Sequence, residues 1–217
     1  MFESCTAHHI SMDKQLLCDL YWKKKLSMMQ IAQQCQTTHP RVYYWFKKYG
    51  IHRRSWCESA YVKQNPKGDP FYIRRDLSTR ERELLLACLM LYWGEGHKTN
   101  RYSVQIANLD FRILQLFVKF LREICGIDEN KLKLYVQLFN KFDKDIAKKY
   151  WAEKLKIPEH HITVNHHIDK RSKEKHQRSK FGIARIQVHN YKLKAWIDKQ
   201  LENYLRCFES GQVFHSS

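Results

Sequence analysis

The sequence predicts an α+β protein, a small all-α head followed by a larger body in which helices back a sheet. Three observations carry this. Over residues 12–49 apolar side chains recur at three-and-four spacing, as one face of a helix requires. From about residue 102, stretches such as LKLYVQLF and IARIQVH alternate apolar with polar, the period-two pattern of a strand with one buried face. Between them lies KQNPKGDPFYIRRDL, residues 63–77. Its Pro66, Gly68 and Pro70 interrupt both periods, and its cations make it a basic, semi-extended linker.

Taken in order, residues 1–11 lack periodicity and are expected to be disordered or a leader. In the head (12–62), Leu16, Leu17, Leu20 and Tyr21 mark a first helix, and Ile31 and Ala32 face inward from a second over 28–35. Thr38 or His39 caps a third, with Pro40 near its first position, Val42, Trp45 and Phe46 inward and Gly50 as a left-handed stop. The stretch LSMMQIAQQCQTTHPRVYYWFKKYGI looks like a helix-turn-helix. Such folds place the start of the last helix in the major groove. Here that helix presents Thr38, His39, Arg41 and Tyr44, with Lys47, Lys48, Arg53 and Arg54 for phosphates. The bland alternative is a three-helix packing module with a solvated basic face.

The body (78–217) begins at Ser78-Thr79-Arg80-Glu81, a capping box in which hydroxyl and carboxylate satisfy each other's backbone donors. Its helix runs to about Trp93 and ends in Gly-Glu-Gly. Strands are expected over 102–107, 132–139, 162–168 and 181–189, with helices over 111–125, 144–155 and 191–206. Each strand sorts its side chains. Leu132, Leu134, Val136, Leu138, Ala184, Ile186 and Val188 form an apolar face, while Lys133, Tyr135, Gln137, Arg185, Gln187 and His189 face the other way with Ser103 and Gln105. None of these outward positions is acidic. Such side chains donate to and accept from base edges in a major groove, although short polar faces also occur merely solvated.

Charge points the same way. The chain of 217 residues holds 39 Lys and Arg against 22 Asp and Glu, a formal +17, which favours a polyanionic partner. Both parts share it, with 13 cationic against 6 anionic side chains up to Leu77 and 26 against 16 beyond. The densest run is DKRSKEKHQRSK, residues 169–180, whose Arg171, Lys173, Lys175 and Arg178 suit a loop laid along a phosphate backbone, or a solubility device. Seven cysteines without a Cys-x-x-Cys pair argue against a zinc ribbon or disulfide framework and for a reducing compartment, cytoplasmic or nucleoid-associated. The longest apolar run, 84–93, is about half of the roughly 20 residues that span a bilayer, so no membrane partner is expected. His160, His161, His166 and His167 lack ligand spacing to Cys or Asp and read as surface and DNA-facing side chains.

The stretch CLMLYWGEG, residues 88–96, resembles the LAGLIDADG motif of homing endonucleases, and residues 78–206 resemble one unit of that family. The resemblance implies a saddle-shaped antiparallel sheet backed by helices. It also implies a homodimer joined through the motif helix at Ala87, Met90, Leu91 and Gly94, because one chain carries a single motif. Glu95 then corresponds to the acid that binds a divalent metal, Mg²⁺ or another, beside the scissile phosphate. Gln105, Lys98 and Gln187 are candidate helpers. Trp93 stands where the family often has a second acid, and Met90 where a small residue is usual. The expected partner is double-stranded DNA, and the expected activity is site-specific phosphodiester hydrolysis. The alternative is a non-cleaving transcriptional regulator on the same scaffold, of the WhiA type, with an RNA maturase a weaker third.

Overall fold

A computed structural model of the chain describes residues 12–139, 142–167 and 180–211. Its internal contacts divide it into two units between Asp69 and Pro70. In the first, Asp13 accepts from the Leu16 amide to open α1 (Lys14–Cys18), which passes into a π-helical turn, Asp19–Lys23. Ser27 and Gln30 form a capping box at the start of α2 (Met28–Gln34). Gln36, at φ +47°, turns the chain into α3 (His39–Lys48), and Gly50, at φ +63°, ends it in the left-handed region expected of it. Leu17, Leu20, Tyr21, Ile31, Val42 and Phe46 make the core of this unit. The Tyr21 and Phe46 rings meet edge to face, with centroids 4.8 Å apart.

A fourth helix, α4 (Trp56–Gln64), lies where no element was expected. It starts at a capping box between Ser55 and Glu58, and Tyr61 is its one buried residue. The linker expected over 63–77 is therefore divided. Its first residues close α4, and residues 70–77 belong to the second unit. There Tyr72 N–H donates to the Cys125 carbonyl at 3.0 Å, Arg74 N–H to that of Ile124 at 2.9 Å, and Asp128 N–H to that of Pro70 at 2.9 Å. Phe71 and Ile73, two apart, pack on the core while Leu77 is buried. Alternation in an extended segment, not its basic charge, decides where it lies.

The second unit is an α+β domain. The capping box at Ser78 starts α5 (Thr79–Glu95), which continues two residues past Trp93, so Gly94 and Glu95 are helical. Then come β1 (Val104–Asn108), α6 (Phe111–Glu123), β2 (Leu132–Leu138), α7 (Lys144–Leu155), β3 (Ile162–His166), β4 (Ile183–Val188) and α8 (Tyr191–Ser210). The sheet order is β1-β4-β2-β3. β4 runs antiparallel to both β1 and β2, but β2 and β3 are parallel. The sheet is thus mixed, and the expectation of a wholly antiparallel sheet is corrected. The cause is α7, which carries the chain between neighbouring strands and returns it in the same direction.

Register brings the apolar face into rows. Ile106, Ile186, Leu134 and Ile162 lie side by side across the four strands, and join Leu85, Leu89, Phe117, Leu121 and Ile197 of the helices in one core. Trp151 of α7 is fully buried and its Nε1–H donates to the Phe181 carbonyl at 2.8 Å, tying α7 to the entry of β4. Replacing Trp151 with Ala opens a cavity and orphans that carbonyl. We expect a loss of about 3–5 kcal/mol of stability, measurable by urea denaturation.

His161 is 5% exposed, and its Nδ1 has no hydrogen-bond partner. Burial holds its imidazole below the ordinary value of 6.5, and the nearby Lys133 and His160 push the same way. The unfolded chain takes up a proton as pH falls through 6.5, whereas the folded chain resists it. Stability is therefore complete above that pH and declines as pH falls toward the depressed folded value. A His161→Gln variant should show a smaller drop in urea midpoint between neutral and mildly acidic buffer than the parent protein.

Candidate functional site

The face of the sheet opposite the core is polar, and its register groups the expected residues. Gln105, Gln187 and Lys133 lie in one row across β1, β4 and β2. Ala107, Arg185, Tyr135 and Thr163 form the next, and Gln137 pairs with Asn165 in a third. His189 follows Gln187 by two residues on the same side. The rows are not equally accessible. Gln105 and Gln187 are each only 7% exposed. Gln105 Nε2 donates to Ser103 Oγ at 2.6 Å, and the Gln187 amide is hydrogen-bonded to the His189 ring. Lys133 and Tyr135 are half-buried, while Arg185, Gln137 and His189 are exposed. No Asp or Glu stands in any of these rows.

Glu95 lies at the rim of this face. α5 ends at Gly96, which takes an extended conformation (φ −75°, ψ 146°) and forms a β-bridge to Ile106. His97 N–H donates to the Gln105 carbonyl at 3.0 Å. Backbone pairing thus carries Gly96 and His97, the two residues that follow Glu95, directly beside β1. The carboxylate itself is exposed, as is Lys98. Tyr92 clamps this junction from below, its phenol donating to the His97 carbonyl at 3.2 Å. Burial, with Asp198 nearby, pushes the phenol far above its ordinary value and keeps it a donor. Over the ring, at 5.6 Å, sits the ammonium of Lys194, buried and ion-paired with Asp198.

Sequence reasoning missed this clamp. Its signals were Tyr92, a polar-ended residue inside an apolar run, and the four-residue spacing from Lys194 to Asp198. The cysteines offer no competing chemistry here. Cys88 is pushed up to about 12 by burial, and Cys125 is also raised, which leaves both protonated at neutral pH.

The opposite side of α5 carries Arg80 and Glu83 in its first half and is apolar in its second, where Met90 and Leu91 also pack in part against the core. Leu84, Leu85, Cys88, Leu89 and Tyr92 point into the core. Ala87 and Gly94 are exposed, Met90 and Leu91 half-covered, and Trp93 is 47% exposed. A Cβ added to Gly94 would meet open space. This second stripe at positions 87, 90, 91 and 94 is where the helix-to-helix contact was expected. Among the described residues nothing gathers three or more His, Cys, Asp or Glu into a metal-holding group.

In the first unit, Thr38, His39, Arg41, Tyr44, Lys47 and Arg53 are all exposed. Lys47 and Arg53 both lie over the Tyr43 ring, at 5.1 and 5.4 Å. Arg54 is different. Its guanidinium donates to the carbonyls of Tyr21 (2.9 Å), Lys25 (3.1 Å) and Leu26, and lies 4.0 Å from the Tyr21 ring centroid. It closes the π-helical turn, so its expected place among phosphate contacts is corrected. Arg171, Lys173, Lys175 and Arg178 lie outside the described residues.

No family model, curated protein or solved structure matches the chain. No helix among the described residues is long and apolar enough to cross a membrane.

Gly96 is the position where this geometry is least tolerant. A Cβ there would overlap the Tyr92 carbonyl and come within 2.6 Å of its ring. We expect Gly96→Ala to cost about 1–3 kcal/mol, as overpacking does. Gly94→Ala, facing open space within a helix, should leave the chain as stable or slightly more so. Thermal denaturation of the two variants checks the contrast.

Proposed function

We propose that the chain is a sequence-specific double-stranded DNA-binding protein that acts as a homodimer and hydrolyses phosphodiester bonds in the manner of LAGLIDADG endonucleases. One observation carries the reading. The exposed carboxylate of Glu95 ends a helix that is apolar on both faces over residues 84–94, and stands beside a polar sheet face that has no acid of its own. A stripe of apolar and small residues on an exposed helix face favours contact with a second helix. Two copies meeting through it bring two Glu95 carboxylates together at a dyad.

The donor set suits Mg²⁺, which is commonly held by one or two carboxylates together with substrate phosphates. A single Glu95 is too few, but a pair with a DNA phosphate between them is enough. When bound, the ion supplies Lewis acidity toward the attacking water and the leaving oxygen. The chain's own part is to hold Glu95 in place through the Tyr92 clamp and the Gly96 bridge, and to position the duplex over the sheet rows. The exposed residues of α3 and the basic residues around it extend the footprint.

A second reading is favoured by Trp93. Two residues before Glu95 the chain presents an indole, not a carboxylate, which suits a protein that binds DNA without cutting it. One experiment separates the two. The purified full chain and its Glu95→Gln variant are incubated with a randomised duplex library and Mg²⁺, and both bound and cut molecules are sequenced. We expect metal-dependent cutting that drops by more than about 100-fold in the variant, since even groups that only orient metal ligands are worth 10–100-fold. Selective binding by both proteins without cutting would establish the regulator instead. One chain per bound duplex would count against the paired carboxylates.

A further inference from the structure

We propose that Arg185 is the principal base-reading residue of the sheet and that it selects a guanine in each half-site. This rests on the DNA-binding reading above and sharpens it. Of the polar side chains on this face, Gln105 and Gln187 are held by Ser103 and His189 and are 93% buried. The amide nitrogen of each already makes a hydrogen bond within the protein. Arg185 is the reverse case. It is exposed, it lies on β4 with strands on both sides, and its register partners are Ala107 and Tyr135. Among the described residues its guanidinium makes no hydrogen bond or ion pair, and it sits 5.2 Å from the centre of the Tyr135 ring.

That arrangement matters because of what an arginine on a sheet usually does. An exposed cation opposite a carboxylate pairs with it across the strands. Here one neighbour is a methyl group and the other an aromatic ring, which supports the guanidinium through its π face without consuming any of its five N–H donors. The ring also restricts the side chain, so less entropy is lost when the fork engages a ligand. A pre-positioned fork with all donors free, on a face without acids, is suited to the O6 and N7 acceptors of guanine in a major groove. Lys133 offers only a point charge, and Gln137 has no ring behind it.

The test is selection from a randomised duplex library by the full-length protein and by four variants, Arg185→Ala, Arg185→Lys, Tyr135→Phe and Tyr135→Leu, with thermal denaturation confirming that each is folded. The parent should enrich a site with guanine at one position in each half. Arg185→Ala should reduce that preference by about 5- to 100-fold, the range for losing one bidentate base contact, with the other positions unchanged. Arg185→Lys keeps the charge but not the fork and should lose the preference as well. Tyr135→Phe should retain it, and Tyr135→Leu should weaken it. If the parent enriches a sequence and Arg185→Ala enriches the same one, or if the base lost is not guanine, the assignment of Arg185 is overturned while DNA binding stands. If the parent enriches nothing, the DNA-binding reading itself fails.

Discussion

Over residues 84–94, α5 is apolar around its whole circumference. One side is covered within the chain, where Leu85, Cys88, Leu89 and Tyr92 are fully buried in the sheet core. The demand from that side sets the rest of the second unit. It fixes the helix against α6, where the Cys88 thiol reaches the Leu116 carbonyl at 3.6 Å. It places Tyr92 so that its phenol holds the His97 carbonyl and its carbonyl excludes any side chain at position 96. Glycine at 96 is thus a packing requirement as well as a helix end. The chain leaves α5 in an extended conformation and pairs at once with β1, and this delivers Glu95 to the edge of the polar sheet face. On the proposed reading, the second apolar side of the same helix is covered by its copy.

Much of this was legible because it depends on local periodicity. The burial pattern of β2 alternates through Leu132, Leu134, Val136 and Leu138 as the sequence predicts, and the capping box at Ser78 places the start of α5 correctly. The same signature stands at Ser55-Trp56-Cys57-Glu58, but α4 buries only Tyr61 and so shows no apolar face to accompany its cap. The extended segment 70–77 presents the opposite case. Its charge and prolines spoke for a linker, while Phe71, Ile73 and Leu77 held the alternation that attaches it to the body.

Long-range facts were less accessible. Nothing local to β2 or β3 says that they are parallel, because strand direction follows from where α7 crosses, not from either strand's pattern. Arg54 illustrates the same limit in the candidate site. Beside Arg53 in sequence it looks like a second phosphate contact, yet the carbonyls of Tyr21 in the π-helical turn and of Lys25 and Leu26 just after it claim its donors. Adjacent cations therefore divide into one that faces solvent and one that completes the fold. Such a division appears only when the accounting of backbone acceptors is carried across some thirty residues.

The same accounting orders the polar sheet face. A row of amides in sequence, Gln105 and Gln187 with Lys133, suggests direct contact with a ligand, but two of its members are buried and each bonds a neighbour, Ser103 or His189. Buried amides that are satisfied internally stiffen the surface on which they lie. The row of Gln105, Gln187 and Lys133 is in this way a support, and accessibility passes to the row of Arg185 and Tyr135 and to Gln137 beyond it. A surface meant to read a duplex gains from that arrangement, since a guanidinium whose base is fixed and whose fork is free loses little freedom on contact. The Gly96–Ile106 bridge sets position 95 level with Ala107, so on the proposed reading the carboxylate stands at the edge of the row that holds the ring-backed fork.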